Sequence, residues 1–108
     1  MEWLEGQGLH ICGRRVRTPY GEIDLIARDG DTLVFIEVKT RRGDGAADPW
    51  ELMRAGQQKR IGRSARYYLA HVRARARHCR FDLIVVALSP QGRPAIRWIQ
   101  SAWSEEDP

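Results

Sequence analysis

Apolar and polar residues alternate with period two over three stretches of the first forty positions, the mark of strands with one buried face. Residues 9–17 read as a strand that turns strongly basic through Arg14, Arg15 and Arg17, and residues 22–28 and 33–40 read as two more. Between them lie Thr18-Pro19-Tyr20-Gly21 and the segment 29–31 around Gly30, both of turn composition. Ahead of the first strand, residues 2–7 read as the last turns of a helix closed by Gly6 or Gly8. The pattern then changes. Residues 41–49 (RRGDGAADP) are polar and glycine-rich and are expected to form a mobile loop. A helix is expected to begin after Trp50, to be interrupted near Gly56 and to continue to about Arg77. Residues 81–88 (FDLIVVAL) are almost continuously apolar, which suits a strand buried on both faces. A turn over 89–94, a last strand over 95–99 and a frayed acidic tail complete the chain.

The alternation is broken where it matters most. In GEIDLIARDGDTLVFIEVKT the second strand puts Glu22, Asp24 and Ile26 on one face, and the third puts Phe35, Glu37 and Lys39 on one face. A two-residue loop at Asp29-Gly30 sets Glu22 across from Glu37. A four-residue loop, 29–32, sets Asp24 across from Glu37 and Glu22 across from Lys39. Either register gathers Asp24, Glu37 and Lys39 on one face. Opposed carboxylates repel, a poor arrangement for stability alone. A divalent cation between them removes the conflict, and Mg²⁺ or Mn²⁺ takes such hard oxygen ligands, with the Val38 carbonyl as one more candidate. Lys39 stands where it can assist a metal-bound water or neutralise phosphate charge, and Glu22 either ligates or balances Lys39. The plain alternative is a solvated sheet face in which Glu22 pairs with Lys39, or Glu37 with an Arg.

Charge sharpens this. The chain has 108 residues with a net charge of +4, and sixteen of its eighteen basic residues are Arg. Guanidinium binds phosphate in a bidentate fashion, which points to nucleic acid, but the codons of a GC-rich genome raise Arg in the same way. Position decides. At roughly 100° per residue, Ile61, Ala65, Tyr68, Leu69, Val72 and Ala76 share one face of the long helix. Arg63, Arg66, Arg73 and Arg77 gather on a stripe about 80° wide beside it, which can follow a phosphate backbone. With 43 % hydrophobic residues and this length, one domain spanning 1–108 is expected. No 18-residue apolar run or secretory signal is present, and the two distant cysteines, Cys12 and Cys79, read as free thiols, so a cytoplasmic protein is expected.

Other candidates have plainer readings. Asp82, inside the most apolar strand, needs a structural partner, an Arg or a backbone amide. His10, His71 and His78 lack metal-ligand spacing. Trp98 and Trp103 read as packing, and Trp50 as packing or a base-stacking residue beside the loop. Tyr68 belongs to the core face of the helix, and Tyr67 reaches towards solvent.

An acid in one strand followed thirteen residues later by Glu37-Val38-Lys39 resembles the PD-(D/E)xK nuclease signature without its proline. More widely, GEIDLIARDGDTLVFIEVKTR, the Gly-rich loop, QQKRIGRSARYYL and CRFDLIVV resemble the YraN family of uncharacterised bacterial proteins over almost the whole chain. That family is assigned an endonuclease-like fold related to Holliday-junction resolvases. The resemblance implies an α/β fold, a restriction-endonuclease-like mixed sheet of about five strands flanked by helices, with Asp24, Glu37 and Lys39 as its site and Gln57 or Gln58 in an accessory role. The aromatic–Leu pair that follows a Gly-Glu pair in the family is here Trp3-Leu4, so the position of that Glu precedes Met1 and the first helix is shortened. Weaker metal binding is the expected consequence.

Two functions follow as expectations. One is a Mg²⁺- or Mn²⁺-dependent nuclease acting on branched DNA, with Arg14, Arg15, Arg17, Arg41, Arg42 and the helix stripe holding phosphates; symmetric action on a junction implies a homodimer. The other is a non-catalytic nucleic-acid-binding or adaptor module on the same scaffold.

Overall fold

Residues 21–40 fold as the hairpin that their alternation implies, and the sheet is built outward from it on both sides. The computed structural model describes residues 2–42, 53–72 and 78–103. In chain order these form α1 (Glu2–Gly6), β1 (His10–Thr18), β2 (Gly21–Asp29), β3 (Thr32–Arg42), α2 (Ala55–Val72), β4 (His78–Leu88) and β5 (Pro94–Trp103). The sheet order is β1-β2-β3-β4-β5, antiparallel throughout except for the parallel β3–β4 pair. A parallel pair needs a crossover, and α2 lies between those two strands in sequence. The result is the five-stranded mixed α/β sheet with a short first helix that was expected.

The two sheet faces carry separate apolar clusters. Under α2, Ile26, Leu33, Phe35, Leu83 and Val85 meet Met53, Ile61 and Ala65, with Tyr68 and Leu69 packed at the margin. Phe35 is fully buried at the centre, stacked on Phe81 at 5.6 Å and edge-on to Tyr68 at 6.1 Å. On the other face Leu25, Ala27, Val34, Ile36 and Ile84 are covered by Leu4 of α1 and by Leu9. The separation of Phe35 from Val34 and Ile36 follows directly from the period of β3.

The helix α2 begins at Ala55 and is continuous to Val72. Gly56 sits in the first turn of α2 and does not interrupt it. Arg41 and Arg42, expected in the loop over 41–49, are instead the last residues of β3, where they pair with Ala87 and Leu88 of β4. Residues 43–49, Trp50, and the helix end with Ala76, Arg73 and Arg77 lie outside the described residues. On the β1–β2 side, α2 is fastened through its buried Ser64. The Ser64 and Thr18 hydroxyls lie 2.8 Å apart, and Thr18 Oγ1 also donates to the Gly21 carbonyl (2.8 Å) and accepts from Tyr20 N–H (3.1 Å).

Asp82 is fully buried on the α1 face and has the structural partners that its position demands. Its Oδ1 accepts from Arg80 Nε and Ser101 N–H, each at 2.9 Å, and its Oδ2 from a second Arg80 nitrogen at 3.0 Å and Trp98 Nε1 at 2.9 Å. The register of β4 against β5 shifts here, between the Phe81↔Trp103 and Leu83↔Ile99 pairs, and Ser101 takes a φ of 51°. The carboxylate thus fills the bulge with acceptors that the ladder no longer supplies.

Candidate functional site

The β2–β3 ladder pairs Asp29 with Thr32 around a Gly30-Asp31 turn and ends at Leu25↔Ile36. Gly30 has a φ of 59° at the first central position, where type II′ hairpin turns take glycine. This is the register of the longer-loop alternative, closed one pair further, and it aligns Asp24 with Glu37. Beyond Ile36 the strands part company: β3 stays paired with β4 as far as Arg42, and β2 stays paired with β1. Asp24 stands at the fork, and its carboxylate replaces the missing rung, with Val38 N–H donating to Oδ2 at 2.8 Å. The face alternation of β2 also breaks at Asp24, since Ile23 joins Ile26 in the cluster under α2 instead of lying opposite it. Across from this point, between the Arg14↔Leu25 and Val16↔Ile23 pairs, β1 carries Arg15 at a φ of 49°.

Glu37 lies half-buried beside Asp24, and Gln57 Nε2 donates to its Oε2 at 3.1 Å from the first turn of α2. Burial first, and then Asp24, by hydrogen bonding to its protonated form and by repelling its charge, together push the Glu37 carboxyl up to about 8. Lys39 and the Gln57 amide act in the opposite sense and do not offset these effects. The site is therefore two carboxyl groups held against one another, one retaining a proton at neutral pH, with an ammonium beside them. Among the described residues no group of three or more His, Cys, Asp or Glu side chains stands ready to hold a metal ion.

The structure sorts the remaining candidates. Asp24, Glu37, Lys39 and Gln57 come together. Gln58 turns away, its amide donating to the Met53 carbonyl at 3.0 Å, because one step along a helix rotates a side chain by roughly 100°. Glu22 does not balance Lys39; it pairs with Arg15 at 3.3 Å and Arg17 at 3.9 Å, since the ladder to β3 has ended and the β1 ladder sets Arg17 opposite it. Arg14 pairs with Glu5 at 3.6 Å. The side chains of Arg15 and Arg17 are 79 % and 86 % exposed, so these pairs are weak and leave the guanidiniums open to phosphate. Arg41 is half-buried, with one guanidinium nitrogen enclosed and without a hydrogen-bond partner among the described residues. The Arg42 side chain lies outside the described residues, and Arg63 and Arg66 are exposed on α2. His10 and His78 are exposed and His71 stacks on Tyr67.

One alignment of residues along the helix escaped the sequence reading. Gln57, Arg60, Ser64, Tyr67 and His71 follow one another at helical spacing of three and four, and they form a single edge of α2 facing the hairpins. Gln57 meets Glu37, the Arg60 stem lies against Gly21, Ser64 meets Thr18 and Tyr67 meets Tyr20. The signal was present as a polar stripe bordering the core face, but the Arg residues beside it dominated that side of the helical wheel.

Fold and site together define an α/β protein whose central hairpin splits around a carboxylate pair. The chain belongs to the uncharacterised protein family UPF0102, whose profile matches residues 1–86. It is 47 % identical to a UPF0102 protein of Symbiobacterium thermophilum over 102 residues, covering 94 % of this chain and 86 % of that one. A UPF0102 protein of Chromohalobacter salexigens is 42 % identical over 94 % of this chain and 81 % of its own length, and one of Pseudomonas syringae 36 % identical over 95 % and 85 %. Among the described residues no helix is long and apolar enough to cross a membrane.

Proposed function

We propose that this protein is a divalent-cation-dependent nuclease that hydrolyses phosphodiester bonds in DNA, with branched DNA as its preferred substrate. The observation that carries the reading is the meeting of Asp24 and Glu37, with Lys39 beside them, at the point where β2 and β3 separate. The donor set suits the cation. Two hard oxygen donors are held together at a cost that Lys39 and Gln57 relieve only in part, and Mg²⁺ and Mn²⁺ favour such carboxylate pairs completed by water and phosphate oxygens. Asp24 and Glu37 would hold the ion. When bound, it supplies Lewis-acid polarisation of the phosphate and a more acidic water.

The chain's own residues prepare the rest. Val38 N–H fixes the Asp24 carboxylate, and Gln57 fixes that of Glu37. Lys39 neutralises negative charge growing on the phosphate oxygens, a role worth most in a partly enclosed site. Arg15, Arg17, Arg63 and Arg66 provide exposed positive charge for phosphates on either side. Cutting two strands of a junction symmetrically requires a two-fold dimer.

A second reading, a binding module without turnover, is favoured by one observation: the described residues gather two carboxylates and no third ligand. Incubation with a labelled four-way junction and the matching linear duplex in Mg²⁺, in Mn²⁺ and in chelator separates the two. The expected result is cation-dependent nicking, faster on the junction. Salt-sensitive binding with no nicking in either cation would establish the module instead, and absence of binding at low salt would remove both readings.

A further inference from the structure

The stripe on α2 ends in an aromatic cluster that the carboxylate site does not use. Tyr67 and His71, one turn apart, stack with ring centroids 3.9 Å apart and planes 19° from parallel. The His71 ring is held in place by its Nδ1, 2.9 Å from the Tyr67 carbonyl. Tyr20, at the tip of the β1–β2 turn, meets Tyr67 edge-on at 6.4 Å and yet remains 49 % exposed, the one large hydrophobic side chain so exposed among the described residues. These rings and the exposed Arg63 and Arg66 line an open cavity of about 410 Å³. That volume falls within the roughly 300–1,000 Å³ of small-ligand sites.

Three features make this cavity a site for an anionic, flat ligand. Among the described residues no carboxylate lines it, whereas two guanidiniums do. Its rings are positioned before any ligand arrives, because Thr18 ties the turn that carries Tyr20 to Ser64 of α2. Finally, it shares a helix edge with the carboxylate pair. Tyr67 follows Gln57 by ten residues, about 15 Å along the helix axis. At about 3.4 Å per stacked nucleotide, that separation corresponds to roughly four nucleotides of one strand.

We propose that Tyr20, Tyr67 and His71 with Arg63 and Arg66 bind one unpaired nucleotide of a single-stranded segment, its base stacked on the rings and its phosphates on the guanidiniums. The inference rests on the nucleic-acid reading above and specifies what part of the substrate lies beyond the carboxylate pair. Stacking on aromatic side chains accepts any base, so the site selects for unpaired structure and not for sequence.

Fluorescence anisotropy with a labelled thymidine oligonucleotide about 12 nucleotides long, in chelator, tests this. Tyr20→Ala and Tyr67→Leu are each expected to weaken binding about 5- to 100-fold without changing its salt dependence, the signature of losing one stacked base. Arg63→Ala is expected to lower the salt slope by about one. An oligonucleotide of abasic residues should bind the wild type as weakly as the normal one binds Tyr20→Ala, and a uridine oligonucleotide reports whether the sugar matters. Wild-type affinity in both tyrosine variants and for the abasic strand would overturn the stacking site while leaving nucleic-acid binding in place. Tyr20 lies at an exposed turn, so its variant keeps the test meaningful even where Tyr67→Leu perturbs folding. A wild type that binds no oligonucleotide or junction at low salt would overturn both readings together.

Discussion

Asp24→Asn is expected to lower cleavage by at least about 10²–10³-fold while leaving the fold intact. The amide oxygen of the variant can still accept from Val38 N–H, so the rung across the fork survives. What disappears is the negative charge of Asp24 and one hard ligand. A corroborating change is expected next door. Asp24 raises the Glu37 carboxyl both by hydrogen bonding and by charge, so the Glu37 titration, followed by carboxyl-carbon NMR, should move down from about 8 in the variant. The same substitution distinguishes the two functional readings. If the protein only binds nucleic acid, removing a negative charge near phosphate leaves affinity unchanged or increased, and there is no turnover to lose. Full cleavage activity in the variant, with a downward shift at Glu37, would remove Asp24 from the chemistry and leave it as a structural bridge.

The largest effect on stability is expected on the opposite face of the sheet. Asp82→Ala should cost about 3–5 kcal/mol, because it removes a paired buried charge and leaves its partners behind. The Arg80 side chain is only 17 % exposed and would keep one acidic partner, the half-exposed Asp29 at 3.1 Å. Trp98 Nε1 and Ser101 N–H would lose the acceptor that organises the β4–β5 bulge. Against a typical total of about 5–15 kcal/mol for a domain, such a loss is large enough to unfold part of the population at moderate temperature. Urea unfolding followed by circular dichroism measures it. A loss below about 1 kcal/mol, the size of an exposed ion pair, would mean that the network contributes little. Cleavage per folded molecule should not change, since Asp82 and the carboxylate pair lie on opposite faces.

The contrast between these two acids shows what the chain reveals before folding. Asp82 announces its role, since a charge inside FDLIVVAL must be paired, and Arg80 two residues earlier lies on the same face of the strand. The strict period of β3 likewise separates Phe35, Glu37 and Lys39 from Val34, Ile36 and Val38 without reference to any other strand. Glu22 was misassigned to Lys39, although the turn at Thr18–Gly21 sets Arg17 across from it as a nearer partner. Other features were not readable because they depend on relations between elements. Alternation fits both hairpin registers equally well, and choosing between them needed the Gly30-Asp31 turn. The fork at Asp24 is a relation among β1, β2 and β3, and nothing in the residue types of β2 requires Ile23 to change face. Gln57 and Gln58 differ only by a rotation about the helix, so which of them reaches Glu37 is fixed by how α2 sits on the sheet. The edge from Gln57 to His71 is made of contacts with Glu37 of β3 and with the turn between β1 and β2, which no single periodicity describes.

The most direct test of the central claim is calorimetric titration of Mn²⁺ into the wild type and into Glu37→Ala at low salt, with and without a cleavage-resistant junction. The proton that Glu37 holds below about 8 must leave when its carboxylate takes an ion. Affinity should therefore rise about tenfold per pH unit between pH 6 and the Glu37 midpoint, and flatten above it. At pH 7, buffers of different ionisation enthalpy should report release of close to one proton per ion. The account predicts saturable, proton-releasing binding by the wild type that is lost in Glu37→Ala. Identical titrations of the two proteins, or no binding by the wild type even in the presence of the junction, would contradict it.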